Sequence, residues 1–397
     1  MAIQSLDALL DSSPIAGRRV FVRADLNVPL REGRISDDSR IRASLPTLER
    51  LLTAGARVVL ASHLGRPKGK PNPDLSLAPV AEALGAALGV NVHFADDCVG
   101  ESVSTAAEAL PNGQILLLEN LRFHAAETEN DPEFARALAD LADVYVNDAF
   151  GTAHRAHAST AGMVPFVAEA AAGLLLQKEL DALAVTREPE RPFVCFLGGA
   201  KVSDKLGVLD ALVEQADTIG IGGAMAYTFL AADGQPIGRS LVEAERFEDA
   251  KRVVARAAER GCELMLPSDH VVSTRVEEGA PAEIVTQIPD DSMGVDIGPE
   301  TAERYAKAAL AARTILWNGP MGVFEIDAFS RGTERVAHAV AESQGRSIVG
   351  GGDSLAAVNK VGVGDRIDHL STGGGASLEF IQGLTLPGVA ALDRPDE

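Results

Sequence analysis

Cysteine is scarce: Cys98, Cys195 and Cys262 are odd in number, far apart and never part of a CxxC pair. That spacing speaks against a disulfide framework or a zinc site and fits a reducing compartment. Aromatic residues are few as well, with 13 Phe, 3 Tyr and a single Trp, and bases are outnumbered, 36 Lys+Arg to 57 Asp+Glu, for a net charge of −21. An acidic chain without basic patches or interleaved aromatics lacks the counterion-release term that nucleic-acid binding needs, and an anionic membrane repels it. No stretch reaches the roughly 18 uninterrupted apolar residues of a membrane span. The most apolar one, Gly162 to Leu176, is broken by Pro165 and Glu169. The opening MAIQSLDALLDSS has neither the basic start nor the apolar run of a secretory signal, and no Asn-x-Ser/Thr acceptor occurs. The expectation is a cytoplasmic, monomeric protein with small-molecule partners, no nucleic acid and no membrane.

What is present is an α/β alternation. Short β-branched or aliphatic runs (RVFVRAD, ARVVLAS, VNVHFA, QILLLEN and VYVNDAF in the first half; PFVCFLGG, TIGIGG, ELMLPSD, TILWNGP, RSIVGGG and HLSTGGG in the second) alternate with stretches of helical spacing such as Leu77 to Leu88 and Phe247 to Arg260. That pattern predicts parallel sheets with helices on both faces. At 397 residues the chain suggests two domains. Ala168 to Thr186 reads as one long Ala/Leu helix without a strand, and the following Glu188-Pro189-Glu190-Arg191-Pro192 reads as a connection. We therefore expect a first domain at 1–170, a linker helix at 171–186 and a second domain at 187–384.

Ligands of open α/β sheets lie beyond the carboxyl ends of the strands. In the first half those ends carry Asp25 and Asn27, His63 and Arg66, Arg122, and His154, Arg155 and His157, with Arg40 across an Asp37-Asp38 turn. Of the 15 bases before residue 171, 13 are Arg, the side chain that grips carboxylate and phosphate bidentately. Singly, each is better read as a solvated loop residue; four strand ends converging on such groups suit a small, doubly charged anion. His154 and His157, without a third ligand at suitable spacing, are weak metal candidates.

The second half offers glycine instead. Gly198-Gly199-Ala200-Lys201 reads as the opening of a helix that continues from Val202 to Asp210, a phosphate-binding arrangement. It would place Lys201 and Lys205 one turn apart, as anion grips or as a solvated basic face. Gly350-Gly351-Gly352-Asp353-Ser354 opens another helix, where Asp353 is a magnesium ligand, an N-cap, or both. Gly373-Gly374-Gly375 is a third cluster of backbone donors. No Walker A loop is present, and no GxGxxG follows the first strand.

With Arg23-Ala24-Asp25-Leu26-Asn27-Val28-Pro29, Ser62 to Pro67, Leu118 to Phe123, Asn147 to Ser159, Gly198 to Lys205, Trp317 to Glu325, Gly350 to Ser354 and Ser371 to Gly375 in this order, the chain resembles the phosphoglycerate kinases over essentially its whole length. The resemblance implies two Rossmann-like domains facing across a cleft. It implies 3-phosphoglycerate or 1,3-bisphosphoglycerate held by Asp25, Asn27, Arg40, His63, Arg66, Arg122 and Arg155. ADP or ATP would be held by Gly198, Gly199, Lys201, Lys205, Asn318, Pro320, Val323, Glu325, Gly350, Gly351, Gly352 and Ser354, with Asp353 on Mg2+. Arg40, Lys201 and the backbone near Gly351, Gly352 and Gly374 would grip the phosphoryl group in transit. The C-terminal tail, about 385–397, would return to the first domain, and the domains would close only when both ligands are bound. Departures from the family pattern are Ala24, Ala224 and Ser354. Two rival readings are a nicotinamide-dependent dehydrogenase, opposed by the missing glycine fingerprint, and a non-catalytic scaffold, opposed by Arg40, Lys201 and Asp353.

Overall fold

In the computed structural model, which describes residues 3–393, the run FVCFL at Phe193–Leu197 is buried along its whole length. RVFVRA at Arg19–Ala24 is buried at all but its first residue. Strands apolar on both faces belong in the middle of parallel sheets covered by helices on either side, and each of these two is the centre of a six-stranded parallel sheet.

The chain divides into two compact units. One comprises residues up to Leu180 together with those from Thr385 onward; the other is Asp181–Leu384. The sheet of the first unit runs, edge to edge, Val92–Phe94, Ile115–Leu117, Arg57–Ala61, Arg19–Ala24, Val144–Asp148 and Glu169–Ala172. The sheet of the second runs Glu263–Met265, Thr218–Ile221, Phe193–Leu197, Thr314–Asn318, Arg346–Gly350 and His369–Ser371. Numbered along the chain within this sheet, that is the order 3-2-1-4-5-6 of doubly wound dinucleotide-binding folds, whose switch point falls between the first and fourth strands. Gly198 and Gly319 follow directly on those two strands, Phe193–Leu197 and Thr314–Asn318. The topology thus fixes where a ligand of this unit would sit.

Three sequence expectations need correction. The stretch 168–186 is not one helix: Glu169–Ala172 is an edge strand paired in parallel with Val144–Asp148, and the helix begins after Gly173, at Leu174–Ala184. Alanine's helix preference yields because backbone partners exist on both sides, Tyr145 opposite Ala170 and the Gln4 carbonyl accepting from the Ala172 N–H at 2.9 Å. The residues after Gly199 do not open a helix either; it starts at Leu206 and ends at Val213. Glu243 explains the delay, since its carboxylate accepts from the Ser203 N–H at 3.0 Å and from the Ser203 hydroxyl at 2.6 Å, holding the intervening residues in a turn. Finally, three strands escaped the reading: Glu283–Val285, His270–Ser273 and Met293–Ile297 form a small antiparallel sheet. The second of these carries a bulge at Val271/Val272, and the first is short and largely exposed, so neither shows a clean two-residue alternation.

Candidate functional site

At the carboxyl end of the first sheet, Arg23 lies inside the strand Arg19–Ala24 with no solvent exposure. Its Nε donates to Ser159 Oγ at 2.9 Å, one terminal nitrogen reaches the Ala24 carbonyl, and the other faces His63 Nδ1 at 3.2 Å. Ser159 passes the contact on, its hydroxyl donating to Glu127 at 2.6 Å and its N–H at 2.9 Å. A buried guanidinium requires hydrogen bonds and a compensating charge; Glu127, fully buried, supplies that charge through Ser159.

This frame sets the state of the histidines. Burial, reinforced by Arg23, Arg122, Arg40 and His157, holds the His63 imidazole well below its ordinary pKa. Because a guanidinium only donates, Nδ1 of neutral His63 accepts from Arg23 and the ring proton sits on Nε2. His157 is likewise lowered, to about 4, first by burial and then by Arg122, Arg23, Arg155 and His154. Neither imidazole offers a neighbourhood that favours a cation.

Arg122 is the fourth buried base of the cluster. It sits in the short helical turn Leu121–Phe123, capped by Asn120, whose carbonyl oxygen accepts from the Arg122 N–H at 3.1 Å while its amide donates to Leu64 O and Leu75 O. One terminal nitrogen of Arg122 donates to Gly65 O at 3.1 Å, and its buried Nε has no hydrogen-bond partner. Burial, with Arg23 and Arg155 adding repulsion, lowers it to about 10, so it remains charged at neutral pH. Asn27 accepts from the Gly65 N–H at 2.8 Å, and Asp25 pairs with Arg40 at the start of the helix Ser39–Thr53. Arg66 and Arg155 are exposed, the latter donating to His154 at 3.1 Å. The sequence-predicted groups therefore gather around a core that sequence reasoning missed. Arg23 was legible, as a charge within an apolar strand run; Glu127, in the polar stretch AAETEN, gave no signal.

In the second unit, the strand ends are joined by backbone packing too close for side chains. A Cβ on Gly198 would lie 1.9 Å from Pro320 O, and one on Gly223, whose φ is +67°, would lie 2.6 Å from Gly199 N. Ser354 holds this arrangement from the helix Gly352–Val361 by accepting the Gly319 N–H at 2.5 Å. Beside it opens a pocket of about 260 Å³ whose walls include Gly199, Ala224, Tyr227, Val323, Glu325 and Asp353. Met293 and Gly294 of the small antiparallel sheet close one side. Of the expected nucleotide residues, Gly199, Pro320, Val323, Glu325 and Asp353 line the pocket. Gly198 and Ser354 shape its frame, and Gly350, Gly351 and Gly352 lead from the strand Arg346–Gly350 into the helix. Gly374, φ +51°, opens the helix Gly375–Ile381. Asp353 lies in a first helical turn whose N-cap is Gly351, so it is not the N-cap.

The two lysines part company. Lys201 is an exposed turn residue, close enough to Glu243 to stabilise its carboxylate, whereas Lys205 is half-buried and donates to Asn318. They do not share a helical face, since the helix begins only at Leu206. Burial lowers Lys205 to about 8, while Asp204 and Asp353 pull it upward. Near pH ~9 the free protein has therefore shed most of this proton, and an anion placed against the amine restores it. Binding of a nucleotide is expected to take up a proton there, with the uptake vanishing toward pH ~7. Calorimetry in buffers of different ionisation heat measures this, and Lys205→Met should abolish it.

The profile of the family described as phosphoglycerate kinase matches residues 10–384. Among curated relatives, phosphoglycerate kinase of Moorella thermoacetica is 57% identical over 378 residues, covering 94% of this chain and 96% of the relative. That of Anaeromyxobacter sp. (strain K) is 55% identical over 400 residues, covering 99% and 100%. Among solved structures, phosphoglycerate kinase from Coxiella burnetii aligns with a TM-score of 0.89 at 42% identity, covering 98% of this chain and 99% of that one. The enzyme from Pyrococcus horikoshii aligns at 0.84 and 33% identity, covering 98% of both. With a buried cationic cluster ending one parallel sheet, a glycine cradle ending the other, and relatives of this identity along nearly the full chain, the protein belongs to the phosphoglycerate kinase family, glycolytic transferases that move phosphate reversibly between 1,3-bisphosphoglycerate and ADP.

Proposed function

We propose that the first unit, 1–170 with the tail from about 385, binds 3-phosphoglycerate and 1,3-bisphosphoglycerate, and that the second, 187–384, binds ADP and ATP with Mg2+. The observation that carries this reading is the buried Nε–H of Arg122, a charged donor without a partner beside two neutral histidines and a buried Arg23. Such a cluster lowers its free energy by accepting an anion of multiple charge. Asp25, Asn27, Arg40, His63, Arg66, Arg122 and Arg155 are the residues assigned to it. Arg66→Ala and Arg122→Ala are expected to raise KM for 3-phosphoglycerate at least ~10-fold with little change in KM for ATP, as loss of a charged hydrogen bond implies. If KM for ATP rises instead, the assignment fails.

For the nucleotide, the backbone at Gly198, Gly199 and Gly350 to Gly352 offers donors to phosphate oxygens, and the apolar pocket walls suit adenosine. Asn318, Pro320, Val323, Glu325 and Ser354 belong to this assignment. The exposed carboxylate of Asp353 fits a magnesium ion, which takes one or two protein oxygens and draws the rest from phosphate and water. When bound, the ion neutralises phosphate charge. Asp353→Asn is expected to remove the tightening of ADP binding by magnesium while leaving metal-free ADP binding nearly unchanged, as calorimetry with and without the ion would measure. Equal losses in both titrations would make Asp353 a structural residue.

Phosphoryl transfer asks for positioned donors rather than a protein nucleophile. Arg40, Lys201 and the backbone N–H groups at Gly351, Gly352 and Gly374 are assigned to the oxygens of the moving group, where charge spreads in the transition state. The cysteines take no part in this chemistry. Closure of the two units on binding both ligands, a monomeric state and a cytoplasmic location complete the proposal; among the described residues no helix is long and apolar enough to cross a membrane.

A further inference from the structure

We propose that Asp97, Cys98 and His124 form a binding site for a transition-metal dication, zinc being the ion their chemistry fits best. The site belongs to the first unit and shares no residue with the groups assigned to either substrate. One ligand atom from each of the three side chains falls within 4.8 Å of the other two. Tetrahedral zinc, with bonds of about 2.0–2.3 Å, separates its ligand atoms by about 3.5 Å. Side-chain rotation of a fraction of an ångström to about one ångström thus turns the cluster into three corners of a tetrahedron.

The donors are already arranged as metal ligands usually are. Asp97 Oδ1 accepts from the Cys98 N–H at 2.6 Å and lies 2.6 Å from His124 Nε2. The ring of His124 is steadied by stacking on Phe134, with centroids 4.9 Å apart. Cys98 Sγ, 1% exposed, donates to Glu119 O at 2.9 Å, while about half of the Asp97 side chain and a third of that of His124 are open to solvent. A cavity of about 500 Å³, lined by Ser76, Asp96, Asp97, Glu119 and His124, opens onto two of the three, while Cys98 stays buried beside Asp97. Glu119 is not a fourth ligand, because its carboxylate is spent on the Ser76 hydroxyl and the Leu77 and Asn120 N–H groups. The fourth corner is left to water.

The mixture of donors selects the ion. Magnesium and calcium prefer all-oxygen sets, whereas one thiolate, one imidazole and one carboxylate suit zinc and its neighbours. On binding, the Cys98 S–H bond breaks, a Zn–S bond forms and the proton leaves to solvent. The resulting thiolate and carboxylate then balance the 2+ charge. Cysteine spacing along the chain speaks against zinc because the partners of Cys98 are an adjacent aspartate and a histidine 26 positions on, which no CxxC rule detects. A metal here would join residues 95–100 to His124, the residue that ends the turn carrying Arg122.

The test titrates the full chain with zinc, and separately with cobalt(II), in millimolar magnesium without nucleotide. One equivalent of zinc should bind, and cobalt should give a thiolate-to-metal charge-transfer band with the visible bands of a tetrahedral ion. Cys98→Ser should lose the charge-transfer band and weaken zinc binding at least ~10-fold, the least that removing even a partner of a ligand costs. His124→Gln and Asp97→Asn, at more exposed positions, should weaken it comparably and carry the test if Cys98→Ser fails to fold. The double variant Cys195→Ser/Cys262→Ser should bind like the parent. Absence of stoichiometric zinc binding, a charge-transfer band that survives in Cys98→Ser, or unchanged affinity in His124→Gln would each overturn the proposal.

Discussion

Lys201→Ala is expected to lower turnover at least ~100-fold while nucleotide affinity and thermal stability change little. The size is that of removing one donor aimed at transition-state charge, on the order of 3 kcal/mol. Stability should hold because the side chain is exposed and lies in a turn fixed by Ser203 and Glu243, whose hydrogen bonds do not involve it. Ground-state nucleotide binding should hold because the pocket walls and the glycine backbone beside Lys201 stay in place. Steady-state kinetics paired with calorimetry separates the two effects. A variant with near-normal kcat removes Lys201 from the mechanism, and one that loses nucleotide binding in proportion makes it a ground-state contact.

The second large effect concerns the frame rather than the chemistry. Glu127→Ala should cost about 3–5 kcal/mol of folding free energy, as breaking a buried charge network does. The substitution deprives Ser159 of both acceptors and leaves Arg23 and Arg122 buried without that carboxylate. Glu127→Gln keeps the shape and part of the hydrogen bonding, so it should be milder. Denaturant unfolding measures the difference, and a loss below about 1 kcal/mol in the alanine variant would show that the two guanidinium groups do not depend on this carboxylate.

These two residues mark the limits of what the sequence carries. Lys201 stands out as a candidate because it adjoins glycines at a strand end, where backbone freedom and a nearby cation occur together. The α/β order, the two sheets and most strands were readable for the same local reason, since apolar runs and helical spacing are properties of neighbours in sequence. Glu127 could not be found, because its role depends on Ser159, 32 positions away, and on burial that a polar surface-like segment does not announce. Nor could the strand Glu169–Ala172, whose alanines prefer a helix until Val144–Asp148 lies alongside. The late start of the helix Leu206–Val213 has the same origin: a turn held by Glu243, 40 positions on, overrode a glycine-to-helix pattern read locally.

Residues 385–393 pack with the first unit rather than with the segment they directly follow. Asn147, at the carboxyl end of the strand Val144–Asp148, donates to Gly388 O at 3.1 Å, and the Gly388 N–H donates to Ala153 O at 2.8 Å. A Cβ at Gly388 would meet Ala153 at 3.1 Å, so the join leaves almost no room for a side chain. For a chain emerging from the ribosome, this makes the order of completion the reverse of the order of synthesis. The half that is translated first must wait, one piece short, until Asp181–Leu384 has been made and the segment after it has followed.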